Sequence, residues 1–199
     1  VRFAPIEQKL TAIGTGRALQ SLTLNAEVAG VIEAISIQPG LQVEAGAALV
    51  ELEKDQQEIA LAKARADYAI ARTNAQRFEE LVADEAASAL EFEAARNELT
   101  AANAALRQAE FELSRRTITA PFAGVLGLTT LDIGDYLTVG APVTTIDDIT
   151  SVLVDFTIPE GASAYVRPGI QIEATAQASA GRAFVGEIRA VDSRIDPAS

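Results

Sequence analysis

Among the side chains of this sequence, adjacent carboxylates come nearest to catalytic chemistry. Two carboxyl groups can divide general acid and general base work when they approach a substrate from separate positions. Asp147 and Asp148 are neighbours on a predicted turn, which makes them a poor acid–base pair. The chain has no histidine and no cysteine, so it lacks the commonest general base and the usual ligands of zinc and iron–sulfur sites. We therefore predict no enzyme, no metal site and no bound cofactor.

The charge balance argues against a nucleic-acid-binding protein. The 199 residues include 28 acidic and 16 basic side chains, a formal net charge of −12. Binding of phosphate backbones requires clustered lysine and arginine. No apolar run approaches the roughly 18 residues that a membrane-spanning helix needs. Because the chain begins with Val1 instead of methionine, we expect it to be a processed or trimmed piece of a longer protein. The lack of a targeting signal in such a piece does not indicate where the protein is located.

Two segments of the sequence match each other at an offset of 94 residues. Each has glycines at spacings of ten and six, and apolar positions such as Leu52 and Ile146 also coincide. The matched glycines are Gly30, Gly40 and Gly46 in the first segment and Gly124, Gly134 and Gly140 in the second. Each segment is predicted to form short strands between glycine turns, including residues 31–37 and 126–131.

Residues 47–120, between these segments, contain neither glycine nor proline. The stretch predicts two helices, residues 55–83 and 89–116. Asp55-x-x-Glu58 and Ser88-x-x-Glu91 are predicted capping boxes at their starts. Arg115 and Arg116 lie at the end of the second helix, where the macrodipole favours positive charge.

Apolar residues recur in both helices at alternating spacings of three and four, which is typical of a coiled coil. When the two sets are paired antiparallel, the residue numbers of every pair sum to 173 or 174. The predicted seam consists of Leu61, Ala64, Tyr68, Ala71, Ala75, Phe78 and Val82 on the first helix, and Phe92, Ala95, Leu99, Ala102, Leu106, Ala109 and Leu113 on the second. The charged residues away from the seam have two interpretations: a solvated surface, or a surface that packs against neighbouring hairpins to form a tube.

The two matched segments resemble the halves of a biotinyl/lipoyl-type β-sandwich, on the stretches AEVAGVIEAISIQPGLQVEAGAALVELE and APFAGVLGLTTLDIGDYLTVGAPVTTID. In carrier proteins of that fold, a lysine on the hairpin between the halves holds the cofactor. The resemblance makes Lys54 the candidate lysine, and the alternative is a solvated lysine in the first turn of a helix. The predicted helical hairpin, residues 54–117, has more than sixty residues and occupies the place of the tight hairpin, which favours the second interpretation.

The predicted hairpin tip carries the pattern Arg-x3-Leu-x6-Ser at Arg77, Leu81 and Ser88. Arg77 and Leu81 are four residues apart and share a helix face away from the seam. The pattern resembles the tip motif with which periplasmic adaptor proteins engage outer-membrane channels of the TolC type. The alternatives are a surface charge at Arg77 and a simple helix N-cap at Ser88.

Residues after 150 resemble the β-barrel of membrane fusion proteins that serve resistance-nodulation-division efflux pumps. The stretches are LVDFTIPEGASAYVRPGIQIEA and GRAFVGEIRAVDSRIDP, with strands predicted at residues 152–158, 171–177 and 184–191 and a short helix at 159–166.

The predicted fold is mixed α and β and elongated: an antiparallel coiled-coil hairpin inserted between the halves of a lipoyl-like sandwich, followed by part of an antiparallel barrel. The predicted boundaries are 1–20 for an N-terminal strand segment that includes residues 6–13, 21–53 and 118–149 for the sandwich halves, 54–117 for the hairpin and 150–199 for the barrel.

The resemblance implies a periplasmic adaptor, associated with the inner membrane, in a tripartite multidrug efflux pump. Its implied partners are an inner-membrane transporter of the resistance-nodulation-division type, a TolC-type outer-membrane channel and further copies of itself in a ring. The absence of methionine favours organic substrates over copper or silver. An adaptor for an ABC-type or type I exporter, and a lipoyl or biotinyl carrier, stay open as alternatives.

Overall fold

The computed structural model of the protein describes residues 10–176 and 183–192. Its contacts divide the chain into two units, residues 18–151 and a second unit from residues on either side of that range. The fold is mixed α and β. The elements are β1 (Gly14–Asn25), β2 (Gly30–Ile35), β3 (Gln42–Val43), β4 (Ala48–Leu52), α1 (Asp55–Ala83), α2 (Ala89–Ser114), β5 (Thr117–Thr119), β6 (Gly124–Leu126), β7 (Tyr136–Leu137), β8 (Pro142–Phe156), a 3-10 helix (Glu160–Tyr165), β9 (Gln171–Thr175) and β10 (Ala183–Glu187).

The strands of the first unit form two four-stranded sheets around one apolar core. Their orders are β1-β8-β6-β3 and β5-β4-β2-β7. The core takes Leu126 and Ile146 from the first sheet and Ile32 and Leu52 from the second, and each is at most 2% exposed. The sheets are therefore held together by burial of their facing apolar side chains.

Backbone hydrogen bonds repeat between the two matched segments in a reciprocal pattern. The Ala26 N–H donates to the Ala141 carbonyl, and the equivalent Ala120 N–H donates to the Ala47 carbonyl, both at 2.9 Å. Strand β2 of the first segment pairs with β7 of the second, and β3 of the first pairs with β6 of the second. Each segment thus completes the sheets of the other, and neither has a separate core.

The six matched glycines divide into two physical classes. Gly40, Gly46, Gly134 and Gly140 have φ values of 78°, 83°, 94° and 83°, a conformation that favours glycine in a turn. Gly30 and Gly124 lie instead where chains approach closely. A Cβ at Gly124 would lie 2.8 Å from the Asp147 carbonyl oxygen, and one at Gly30 would lie 3.0 Å from Nη1 of Arg116.

Strand β4 leads into α1, and α2 leads into β5. Helix α1 has 29 residues and α2 has 26, so each is about 40 Å long at about 1.5 Å per residue. Between the helices lies a turn of five residues, 84–88.

Two local predictions in this unit are wrong. Strand β6 ends at Leu126 instead of extending to residue 131, because Gly127 interrupts the run and the following Leu128 is 82% exposed. Asp147 and Asp148 lie within strand β8 and not on a turn. Adjacent strand residues point to opposite faces of a sheet, so these two carboxylates do not converge on one substrate.

The second unit contains a short antiparallel pair, β9 with β10, preceded by the 3-10 helix that begins after Pro159. Strand β10 ends at Glu187, short of the predicted residue 191. Arg17 Nε lies 2.8 Å from Asp155 Oδ2 in this unit. Of the predicted N-terminal strand at 6–13, residues 10–13 are not in a strand. Residues 6–9 and 177 lie outside the described part of the chain.

Candidate functional site

Every residue of the predicted seam is buried or half-buried. Leu61, Ala71, Ala75 and Ala95 are buried, and the other ten seam residues are half-buried. Of the large apolar residues of the hairpin that the seam pattern omits, Leu81 is half-buried and the others are exposed: Ile59, Ile70, Leu90 and Phe111. The alternating spacing therefore separates the residues that face the partner helix from those that face outward.

The turn at the tip is a Schellman motif built without glycine. The Ala86 N–H donates to the Leu81 carbonyl at 2.7 Å, and the Glu85 N–H donates to the Val82 carbonyl at 3.1 Å. This pair of bonds satisfies carbonyl groups that the end of α1 would otherwise leave open. Glu85 provides the left-handed residue of the motif, with a φ of 58°. Sequence reasoning missed this turn because its usual marker, a glycine after the helix, is absent.

Ser88 closes the other side of the turn with a capping box, as the sequence predicts. Its hydroxyl oxygen accepts from the Glu91 N–H at 3.3 Å, and its own N–H donates to Glu91 Oε2 at 2.9 Å. The Ser88 N–H and, secondly, its hydroxyl hold the pKa of the Glu91 carboxyl below its usual range, because both donate to the charged form. The polar atoms of Ser88 therefore fix the first turn of α2.

Arg77 lies on the exposed surface one turn before Leu81. Its Nη2 donates to Asn74 Oδ1 across 3.4 Å, and its guanidinium carbon lies 5.5 Å from the centre of the Phe78 ring. These contacts orient the side chain and leave most of its donors open. The guanidinium can therefore donate further hydrogen bonds, for which a carbonyl or carboxylate oxygen is a suitable acceptor.

The two leucines of the tip differ from each other in exposure. Leu81 is half-buried, whereas Leu90, in the first turn of α2, is 79% exposed. Sequence reasoning missed Leu90, although an apolar residue outside the alternating pattern in the first turn of a helix was a usable signal. The surface of the tip therefore contains Arg77, part of Leu81 and most of Leu90.

At the base of the hairpin, two arginines connect α2 to the strands. Arg115 donates from Nη2 to the Glu27 carbonyl at 2.7 Å and from Nε to the Glu27 carboxylate at 3.2 Å. Arg116 donates from Nη1 to the Ala29 carbonyl at 3.1 Å. The two side chains thus anchor the end of α2 to the segment just before β2, a role beyond the predicted macrodipole contact.

Lys54 is the N-cap residue of α1. Its Nζ lies 2.6 Å from Oε2 of Glu51. The hydrogen bond and charge of Glu51 raise its pKa above the usual range. The predicted capping box at Asp55 and Glu58 is wrong, because Asp55 is the first helical residue and the N-cap makes no side-chain cap. Lys54 therefore occupies the start of a long helix and not the crest of a tight hairpin.

Asp148, one of the two carboxylates considered for acid–base catalysis, is hydrogen-bonded to a neighbouring residue. Asp148 Oδ1 accepts from the Thr150 hydroxyl at 2.7 Å and the Thr150 N–H at 2.9 Å, and these bonds lower the pKa of the Asp148 carboxyl. In the described residues, no group of three or more Asp, Glu, His or Cys is arranged to hold a metal ion. No helix in that part of the chain has the length and apolar character to cross a membrane.

Residues 20–148 match the family model described as RND MFP, barrel-sandwich hybrid domain. An uncharacterized protein of Haemophilus influenzae is 28% identical over 187 residues, which cover 94% of this chain and 49% of that protein. Multidrug resistance protein MdtA of Pectobacterium carotovorum is 30% identical over 216 residues, covering 97% and 52% respectively. This chain spans about half the length of these relatives.

A solved structure has the same fold over nearly the whole chain. It is a MacA–MexA chimeric protein that contains the MexA alpha-hairpin domain of Pseudomonas aeruginosa. Its TM-score is 0.81 at 26% identity, and the match covers 95% of this chain and 69% of the chimera.

Proposed function

Since this chain belongs to the RND membrane fusion protein family through its barrel-sandwich hybrid domain, we propose that it is the adaptor part of a tripartite multidrug efflux pump. In this role it bridges an inner-membrane transporter of the resistance-nodulation-division type to a TolC-type outer-membrane channel in the periplasm. Support comes from the family match over residues 20–148 and from relatives named for multidrug resistance. The likeness to the MacA–MexA chimera supports the same role.

We assign the parts of the chain to that architecture as follows. Residues 21–53 and 118–149 are assigned to the halves of a lipoyl-like sandwich, 54–117 to the inserted hairpin, 150–199 to part of a barrel domain and 1–20 to the barrel or membrane-proximal region. The reciprocal hydrogen bonds around Ala26 and Ala120 support the assignment of two halves of one sandwich. The position of Lys54 at the N-terminus of a 29-residue helix argues against a swinging cofactor on that lysine.

The contact with the channel is assigned to Arg77, Leu81 and Ser88. The observation that carries this assignment is the construction of the tip: Schellman bonds at Leu81 and a capping box at Ser88 fix the turn beside an exposed arginine. Arg77 donates hydrogen bonds to channel carbonyls or carboxylates, Leu81 adds an apolar contact, and Ser88 holds the turn. Each contact is small, so several copies around a ring supply the binding strength together.

Single-cysteine crosslinking tests the tip assignment. The chain has no cysteine, so Leu81→Cys and Asp67→Cys each introduce one defined thiol. In cells that carry the complete pump, Leu81→Cys is expected to crosslink to the outer-membrane channel, whereas the matched mid-hairpin control Asp67→Cys is not. Channel crosslinks at residue 67 with none at residue 81 contradict the proposal.

A further inference from the structure

The hairpin is joined to the sheets by two short links at its base. Residues 53–54 connect β4 to α1, and residues 115–116 connect α2 to β5. The Leu52 N–H donates to the Arg116 carbonyl, so the two links lie side by side. Two links side by side define an axis, and a few residues at the ends of elements can absorb a rotation about it. The backbone links alone therefore do not fix the angle between the hairpin and the sheets.

Apolar packing adds little support at this base. Within the described residues, α1 and α2 contact each other extensively and contact no strand to a similar extent. Ile59 and Phe111, the large apolar residues nearest the base outside the seam, are exposed. Burial of apolar surface is what usually holds a helix against a sheet. The angle of this hairpin therefore depends on polar contacts at its base.

Arg115 makes such a contact with the segment before β2. Its Nη2 donates to the Glu27 carbonyl at 2.7 Å and its Nε to the Glu27 carboxylate at 3.2 Å, and we call these two bonds the base contact. The Arg115 guanidinium carbon also lies 5.4 Å from the centre of the Phe111 ring, which holds the side chain on α2. The Glu27 carboxylate is largely exposed, so the ion pair alone is weak and the bond to the carbonyl adds to it.

Arg116 supports the base contact from the next position. Its Nη1 donates to the Ala29 carbonyl at 3.1 Å. A Cβ at Gly30 would lie 3.0 Å from this nitrogen, so glycine leaves room for the arginine. Two successive arginines thus bind carbonyls two residues apart in the segment that leads into β2.

The length of the hairpin magnifies a change in its angle. Each helix is about 40 Å long, so a rotation of about 10° at the base moves the tip by about 7 Å. A hydrogen bond from Arg77 requires an acceptor within about 3 Å. A small rotation at the base is therefore enough to carry the tip away from a fixed partner.

From these observations, we propose that Arg115 is a positioning residue whose base contact sets the angle between the hairpin and the sheets. Loss of the base contact lets the hairpin swing about residues 53–54 and 115–116, while α1 and α2 stay packed on each other. The consequence for docking on a channel rests on the proposed function, and the effect on the angle does not.

Distance measurements by pulsed electron paramagnetic resonance test the angle in the purified 199-residue chain. The chain has no cysteine, so Gln42→Cys and Gln76→Cys place one spin label on a strand and one on the hairpin, both at exposed positions. Residue 76 lies about 30 Å from the base, so a swing of about 10° in Arg115→Ala is expected to widen the distance distribution by about 5 Å. Glu27→Ala is expected to widen it less, because Arg115 still donates to the carbonyl of residue 27. The double variant is expected to be no wider than Arg115→Ala, which already lacks both bonds.

Arg107→Ala is the matched control, because it removes the same charge from an exposed position of α2 away from the base. It is expected to leave the distribution unchanged. A second label pair, Gln76→Cys with Asn97→Cys, joins the two helices at one level and is expected to keep its width in every variant. A hairpin-to-strand distribution as narrow in Arg115→Ala as in the unchanged chain overturns the proposal. Equal widening in Arg107→Ala, or widening of the second pair in Arg115→Ala, overturns it as well.

Crosslinking in cells that carry the complete pump tests the consequence for the tip. The yield of channel crosslinks from Leu81→Cys is expected to fall when Arg115→Ala is added and to stay the same when Arg107→Ala is added. An unchanged yield with Arg115→Ala, beside a widened distribution, overturns the positioning role. Absence of crosslinks from Leu81→Cys alone contradicts the proposed function instead, and the measured angle still decides whether the base contact acts as proposed.

Discussion

Glu85 carries the least favourable backbone conformation of the hairpin tip, a φ of 58° in a residue other than glycine. A left-handed residue with a Cβ costs about 1–2 kcal/mol relative to its helical conformation, and glycine avoids this cost. We expect Glu85→Gly to raise the free energy of unfolding by about 1 kcal/mol. Glu85→Ala removes the same charge but keeps the Cβ, so it is expected to give no such gain. Urea unfolding of the three chains checks this, and equal gains from both variants would attribute the effect to charge.

The Ser88–Glu91 capping box makes the tip sensitive to acid. The pKa of Glu91 is lower in the folded chain than in the unfolded one, because Ser88 donates to the carboxylate. The contribution to stability is therefore complete above the unfolded pKa of about 4.3 and is lost as the pH falls through the lower folded value. The protection of the amides at 88–92 against hydrogen exchange, relative to the intrinsic rate at each pH, is expected to fall over that range. Ser88→Ala is expected to show faster exchange at neutral pH and a smaller change on acidification.

At the scale of elements, two layers of the seam pair alanine with alanine, Ala64 with Ala109 and Ala71 with Ala102. Ala71 is 3% exposed, so a leucine there forces the helices apart at that layer. We expect Ala71→Leu to lower the free energy of unfolding by about 1–3 kcal/mol. Ala66→Leu, on the exposed outer side of the same helix, is the control and is expected to change it by less than about 0.5 kcal/mol. An equal loss from both variants would contradict packing at the seam.

The equivalent glycines Gly30 and Gly124 are expected to respond differently to substitution. A Cβ at Gly124 meets the Asp147 backbone, whereas one at Gly30 meets the end of the flexible Arg116 side chain. Gly124→Ala is therefore expected to cost about 1–3 kcal/mol and Gly30→Ala less than about 1 kcal/mol. Thermal unfolding of the two variants measures this difference. Equal losses of stability in the two variants would contradict the prediction.

The helices could be predicted to within two residues, because a stretch without glycine or proline carries a sustained apolar repeat and a capping box. The strands could be predicted less well. Residues 126–131 have the composition of a strand, yet Leu128 is exposed and the strand ends at Leu126. Strand length depends on pairing with residues distant in sequence, which composition does not record.

At the scale of the whole molecule, the matched segments explain why a long hairpin is tolerated in the middle of the chain. Each segment completes the sheets of the other through pairs such as Gly30 with Leu137. The link between β4 and β5 is free to be long, provided that its two ends return to adjacent strands. Those strands pair at Glu51 and Thr117. Next to this pair, the Leu52 N–H donates a hydrogen bond to the Arg116 carbonyl at 2.8 Å. The sandwich therefore sets the spacing of the helix ends, and the hairpin can vary at its tip.

The proposed contact of the tip with an outer-membrane channel predicts how substitutions of Arg77 affect drug resistance. Arg77→Glu replaces a donor that has only one long side-chain hydrogen bond, so the hairpin is expected to fold as before. The reversed charge is expected to repel an acidic or carbonyl-bearing channel surface and abolish drug resistance in cells. Arg77→Lys keeps the charge without the planar fork and is expected to retain part of the resistance. Cellular protein level and helix content by circular dichroism serve as controls. Resistance unchanged in Arg77→Glu, with both controls unaltered, would remove Arg77 from the contact.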